Sequence, residues 1–132
     1  MKLKKHHLKY KKHHLKYKKH LLKFSFIGFK VILFHCLTKK KIDFLKLLIL
    51  KKLKGISKKK VKIWFFSNCF FNSTQLPPDS RMGKGKGEVK ESFGFYKKGF
   101  ILFEIKGIST FNSIKLLKFL NNQKIIKLKL IL

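Results

Sequence analysis

The residues best equipped for chemistry lie together at 81–87, Arg81-Met82-Gly83-Lys84-Gly85-Lys86-Gly87. Glycines stand at alternate positions with lysines between them, and Arg81 is the single arginine of the chain. A residue without Cβ reaches backbone conformations closed to others and lets the main chain approach a ligand closely. Interleaved lysines add mobile ammonium donors. The combination suits a cationic finger lying along phosphates, and a merely flexible glycine loop is the plain alternative. Two named phosphate loops are excluded. The spacing is not G-x-G-x-x-G between a strand and a helix, and Gly-Lys-Ser/Thr does not occur. Lysine fills every other basic position, so the arginine points to a phosphate or base edge that needs a planar five-donor fork.

Catalytic groups are scarce. The acids are Asp43, Asp79, Glu88, Glu91 and Glu104. Asp79, Glu88 and Glu91 sit among lysines and read as charge partners, and Glu104 is expected to pair with a neighbouring lysine. No nucleophile, base and orienting group fall into a recognisable order. The expectation is a non-enzyme with no cofactor and no small-molecule substrate. Cys36 and Cys69 are far apart and read as reduced, partly buried thiols. The histidine pairs near the amino terminus have no cysteine or carboxylate nearby to complete a tetrahedral site, so no metal is expected.

Charge narrows the partner. Thirty-four basic residues oppose five acids, a net charge of +29 on 132 residues. Self-repulsion of that size opposes compaction unless an anionic partner relieves it. Nucleic acid is the first candidate and an anionic membrane surface the second. Yet 45% of the residues are apolar, 15 of them phenylalanine, so the chain is expected to fold rather than remain a basic tail. The apolar stretch from Phe24 to Leu37 is broken by Lys30 and His35 and is too short for a span, so no stable membrane insertion is expected. No secretory signal is read at the charged amino terminus. Absence of alanine, with a surplus of Lys, Phe, Ile, Leu and Asn, implies an AT-rich coding sequence, as in an organelle or a reduced endosymbiont.

The elements that must position the finger follow from periodicity. Residues 1–23 form a basic low-complexity arm in which Lys4-Lys5-His6-His7-Leu8-Lys9-Tyr10 recurs at 11–17 and, worn, at 18–24. Leu and Tyr two apart fall on opposite sides of a helix, so an extended arm is expected rather than a coiled coil. Its lysines, among them Lys11, Lys12, Lys18 and Lys19, are candidate phosphate contacts, and its tyrosines can stack on unpaired bases. Residues 24–132 read as one α+β domain with the finger at about 76–90. A strand is expected over 24–32, with Gly28 as a bulge. Thr38 caps a helix over 39–54 whose buried face is Ile42, Leu45, Ile49 and Leu53, and Gly55 ends it. Phe44, Leu47 and Leu48 give that helix a second apolar face, which would also suit a membrane surface. A strand over 61–66 carries Trp64, with core packing as its default role, and 68–80 reads as a turn-rich link. Strands at 91–97 and 100–106 form a hairpin about Lys98-Gly99. Ser109 caps a second helix, 110–122, with Ile114, Leu117 and Leu120 on one side. A last strand, 126–130, turns Lys127 and Lys129 away from the core.

The run 81–87, followed by Glu88-Val89 and by Gly99-Phe100-Ile101-Leu102-Phe103-Glu104-Ile105-Lys106-Gly107-Ile108, resembles the large-subunit ribosomal proteins of the L-sixteen family. Phe24–Ile32 is similar to the family's Ser-Phe-Gly-x-Phe segment, Lys62-Ile63-Trp64 to its Lys-Ile-Trp strand, and Ile126–Leu130 to its ending. Five positions depart from the family pattern: apolar residues replace small ones at 44, 47 and 48, Lys98 replaces a proline, and so does Ile125. The resemblance implies an α/β-hammerhead-like body, mostly antiparallel sheet with two helices, within the large ribosomal subunit. It implies as partners large-subunit rRNA, aminoacyl-site tRNA near the peptidyl-transferase centre, and neighbouring ribosomal proteins. The finger role carries over to Arg81, Met82, Gly83, Lys84, Gly85, Lys86 and Gly87, and Lys62, Lys127, Lys129 and the arm lysines become expected rRNA contacts. The mitochondrial matrix is the expected location, with a plastid or endosymbiont ribosome as alternatives. The other functional readings are a basic membrane-surface protein and a nonspecific nucleic-acid binder.

Overall fold

The computed structural model describes residues 21–56, 60–67, 71–81, 83 and 85–132. In chain order the elements are β1 (Ile27–Val31), β2 (His35–Thr38), α1 (Lys39–Ile56), β3 (Lys62–Phe65), β4 (Phe71–Gln75), β5 (Glu88–Tyr96), β6 (Ile101–Lys106), α2 (Thr110–Asn122) and β7 (Leu128–Ile131). They form two antiparallel sheets, one ordered β3-β6-β1-β7 and the other β2-β5-β4. The expected α+β class, with two helices and antiparallel pairing, is the class observed.

One core serves both sheets. Helix α1 buries Ile42, Leu45, Ile49 and Leu53, the face its three- and four-residue spacing predicts. Thr38 accepts a 3.4 Å bond from the Lys41 amide at its start. Gly55 does not end it. The helix runs on to Ile56 and Gly55 keeps a negative φ, so the left-handed cap is not formed. Phe44 and Leu47 remain 52% and 65% exposed.

Helix α2 starts as expected, with the Ser109 hydroxyl accepting from the Asn112 amide at 3.3 Å. Its buried face is Ser113, Leu116 and Leu120 rather than Ile114, Leu117 and Leu120. Ser113 donates its hydroxyl to the Ser109 carbonyl at 2.9 Å, so a small polar residue is satisfied while facing inward. Ile114 turns out to solvent. Asn121 then ties the helix to β7, donating to the Leu128 carbonyl at 3.1 Å and accepting from the Leu128 amide at 2.9 Å.

Three strand expectations are corrected. β5 and β6 are joined by a tight turn, Phe100 N to Lys97 O at 3.1 Å, but they lie in different sheets and are not a hairpin. The end of β1 takes the hydrogen bonds a hairpin would use: Gly99 donates to the Val31 carbonyl at 2.7 Å and Val31 to the Phe100 carbonyl at 2.8 Å. Phe71–Gln75, expected to be link, is a strand paired with β5. Gly28 pairs regularly with Glu104 and Ile131, and the irregularity in β1 falls between Phe29 and Lys30. A second irregularity matters more for the finger. Ser73 faces Glu91 while Thr74 faces Val89, so Lys90 is an extra residue in β5.

The two sheets treat their outward faces differently. In the four-stranded sheet, Phe29, Val31, Phe103 and Ile105 point to the core, and the opposite face is crossed by the chain's own residues 22–25. Glu104, 1% exposed, accepts from the amides of Lys23 at 3.0 Å, Phe24 at 2.7 Å and Ser25 at 3.0 Å. The Ser25 hydroxyl donates to the Ile105 carbonyl. Among the described residues Glu104 is therefore paired with three main-chain donors and not with the expected lysine. Gly28 leaves room for Leu22, whose Cδ2 fills the space a Cβ there would take. Phe24 lies flat on Trp64, ring centroids 5.5 Å apart and 13° from parallel. Trp64 thus packs on this outer layer, half-buried, rather than in the main core.

Candidate nucleic-acid interface

The finger is the loop of a hairpin. β4 ends where Gln75 faces Glu88, and the finger sequence 81–87 lies in the chain between them. Entry is set by a turn at Pro77–Ser80, where the Ser80 amide and hydroxyl both donate to the Pro77 carbonyl, at 3.2 and 3.1 Å. Proline fixes φ at the turn and supplies no donor of its own.

Two of the glycines answer one physical need and the third another. Gly83 and Gly85 have φ of 95° and 93°, a region L side chains rarely enter, and a Cβ on either would meet nothing within 4 Å. They bend a loop in open space. Gly87 stands where the two ends of the hairpin close. A Cβ there would collide with the Gln75 carbonyl oxygen and lie 2.7 Å from the Leu76 nitrogen. Arg81 and Lys86 are exposed. Met82 and Lys84 lie outside the described residues, as do Lys11, Lys12, Lys18, Lys19 and the histidine repeats of the arm.

The remaining expected contacts do not form one patch with the finger. Lys62 opens β3 and Lys129 lies in β7, the two edges of the four-stranded sheet. Lys62 faces Lys106 near one end, and Lys129 faces Lys30 near the other. Both belong to the outer face that residues 22–25 cross, as does the exposed Lys127 by parity. Cation density is thus spread over two surfaces, one per sheet. Acids near the finger act as charge partners in one clear case: Glu91 meets Lys40 at 3.5 Å. Cys36 is exposed rather than partly buried, and Cys69 lies outside the described residues.

The sequence profile of the family described as Ribosomal protein L16p/L10e matches residues 1–130, arm and body alike. The chain belongs to this family. Its members are ribosomal proteins, structural rather than catalytic. Among similar proteins, Large ribosomal subunit protein uL16m of Chondrus crispus is 39% identical over 88 residues, 65% of this chain and 64% of that protein. Large ribosomal subunit protein uL16 of Fervidobacterium nodosum is 32% identical over 95 residues, 72% of this chain and 64% of its own length. The counterpart from Akkermansia muciniphila is 34% identical over 100 residues, 76% and 69% of the two chains. The matched part of the chain spans just under two thirds of the first two relatives.

One group of residues with binding character escaped the sequence reading. Phe34, Phe71, Phe93 and Phe95 gather on the outward face of the three-stranded sheet. The alternation Phe93-Gly94-Phe95 was the available signal, since residues two apart in a strand share a face.

Proposed function

We propose that the chain is a structural constituent of the large subunit of a mitochondrial ribosome. In this reading it binds large-subunit rRNA, and its finger helps to position aminoacyl-site tRNA near the peptidyl-transferase centre. The observation that carries it is the finger itself: a lysine-bearing hairpin loop in which each glycine has a stated structural reason, set on a family member with a net charge of +29. Lysines displace condensed counterions from phosphates, which gives affinity without sequence reading. Arg81 offers a bidentate fork for a phosphate or base edge. Lys62, Lys127, Lys129 and the arm lysines Lys11, Lys12, Lys18 and Lys19 serve as further rRNA contacts around the body, with neighbouring ribosomal proteins beside them. The mitochondrial assignment is supported by the uL16m relative, whose suffix marks the mitochondrial form, and by the AT-rich residue usage.

Sedimentation of lysate through a sucrose gradient tests the assignment. The chain is expected with the large subunit and with monosomes after a moderate-salt wash. Recovery at the top of the gradient, or with membranes, overturns it. For the finger, replacing Lys84 and Lys86 together by Ala is expected to reduce the slope of log affinity against log salt for rRNA by about one unit per lost phosphate contact. An unchanged slope removes these lysines from the phosphate contacts.

A further inference from the structure

The aromatic cluster on the three-stranded sheet is a built surface. Phe34 stacks on Phe95 at 5.8 Å and 19°, and Phe71 on Phe93 at 5.7 Å and 27°. Edge-to-face contacts join the two pairs, Phe71 to Phe95 at 5.3 Å and Phe93 to Phe95 at 5.6 Å. The opposite face of the same sheet is closed by Leu37, Gly94 and Tyr96. None of the four phenylalanines packs against the main core. Phe34 is 46% exposed and the other three are half-buried.

Position and charge point to one occupant. β4 and β5 hold Phe71, Phe93 and Phe95, and the same two strands run on into the finger. From Phe93 to Gly87 is six residues, roughly 20 Å of strand. A ligand whose backbone follows the finger lysines therefore passes within reach of the rings. Glu91, two residues before Phe93 on the same face, would repel a polyanion, but Lys40 holds it at 3.5 Å. Flat aromatic faces beside a cationic loop match the chemistry of single-stranded nucleic acid, whose bases stack on rings while its phosphates meet lysines.

We propose that Phe34, Phe71, Phe93 and Phe95 form a stacking platform for unpaired RNA bases. The inference rests on the RNA-binding reading above and names the part of the RNA that this face takes. A second protein seated on the same face would need only apolar bulk, which leucine supplies as well as phenylalanine. The ring itself is what a base requires.

The test uses the full chain and two probes of equal length and charge: a single-stranded oligouridylate of roughly a dozen nucleotides, and an abasic strand of the same length. Wild-type chain is expected to prefer the base-bearing strand by about ten-fold or more. Phe34→Leu and Phe93→Leu are each expected to lose most of that preference with the salt slope unchanged, and Phe34→Tyr to keep it. Phe34 is exposed and outside the core, so its leucine variant is expected to fold even where Phe93→Leu is not, and it then decides alone. A preference that survives in Phe34→Leu overturns the platform. So does wild-type binding that is equal on both strands and steeply salt-dependent, which leaves the RNA-binding reading intact. Failure of the wild type to bind either strand overturns both.

Discussion

The two sheets share a core but finish their outward faces in opposite ways. On the four-stranded sheet the chain covers itself, with Leu22 over Gly28, three amides on Glu104 and Phe24 on Trp64. On the three-stranded sheet four phenylalanines stack on one another, with Phe34 exposed and the other three half-buried. Burying a carboxylate costs several kcal/mol unless donors replace its water, so the first arrangement holds only while residues 23–25 are in place. Aromatic rings tolerate partial exposure at little cost and keep a face for a ligand. The difference separates a surface completed by folding from one left for binding.

The sharpest way to break that contrast is Glu104→Ala. It strips the acceptor from three amides and is expected to destabilise the chain by about 3 kcal/mol, read as a lower midpoint in urea denaturation. Residues 22–25 should also become more accessible to protease, and an unaltered digestion pattern would show that Glu104 does not hold them. Next in size is Gly87→Ala, expected to cost about 2 kcal/mol because the new Cβ meets main chain that must shift. Gly85→Ala should cost only about 1 kcal/mol, since its strain comes from φ in open space. Equal losses at the two glycines would mean that closure of the hairpin is not set at Gly87. The smallest effect is expected for Lys40→Ala. Its 3.5 Å pair with Glu91 is largely solvated and should contribute no more than about 0.5 kcal/mol to stability. Its influence should instead be on RNA affinity, by freeing the Glu91 charge beside the platform.

Helix α1 was legible because Ile42, Leu45, Ile49 and Leu53 keep the three- and four-residue spacing of one helix face with an apolar residue at every step. In α2 the neighbours Leu116 and Leu117 are both apolar, so periodicity did not choose between faces, and the choice fell to a serine hydroxyl satisfied within its own turn. The strand Phe71-Asn72-Ser73-Thr74-Gln75 reads as loop because only Phe71 is large and apolar. As an edge strand of a small sheet it needs no more than one such residue to fasten it. The apparent hairpin at Lys98-Gly99 failed for a non-local reason, since β1, far away in sequence, takes its hydrogen bonds. Within the site, the glycine and lysine types were enough to find the finger. Partners that lie 79 to 81 positions away, as the amides of 23–25 do from Glu104, leave no local trace.

The extra residue at Lys90 sets a heading. A bulge bends its strand and increases the local twist, and this one lies between the aromatic face and the finger, on the β4–β5 ribbon that joins them. Deleting Lys90 would leave every other lysine, every glycine and every ring in the chain yet aim the finger along a different line from the platform. Orientation between the two surfaces is thus carried by one residue of length, separately from the chemistry of either.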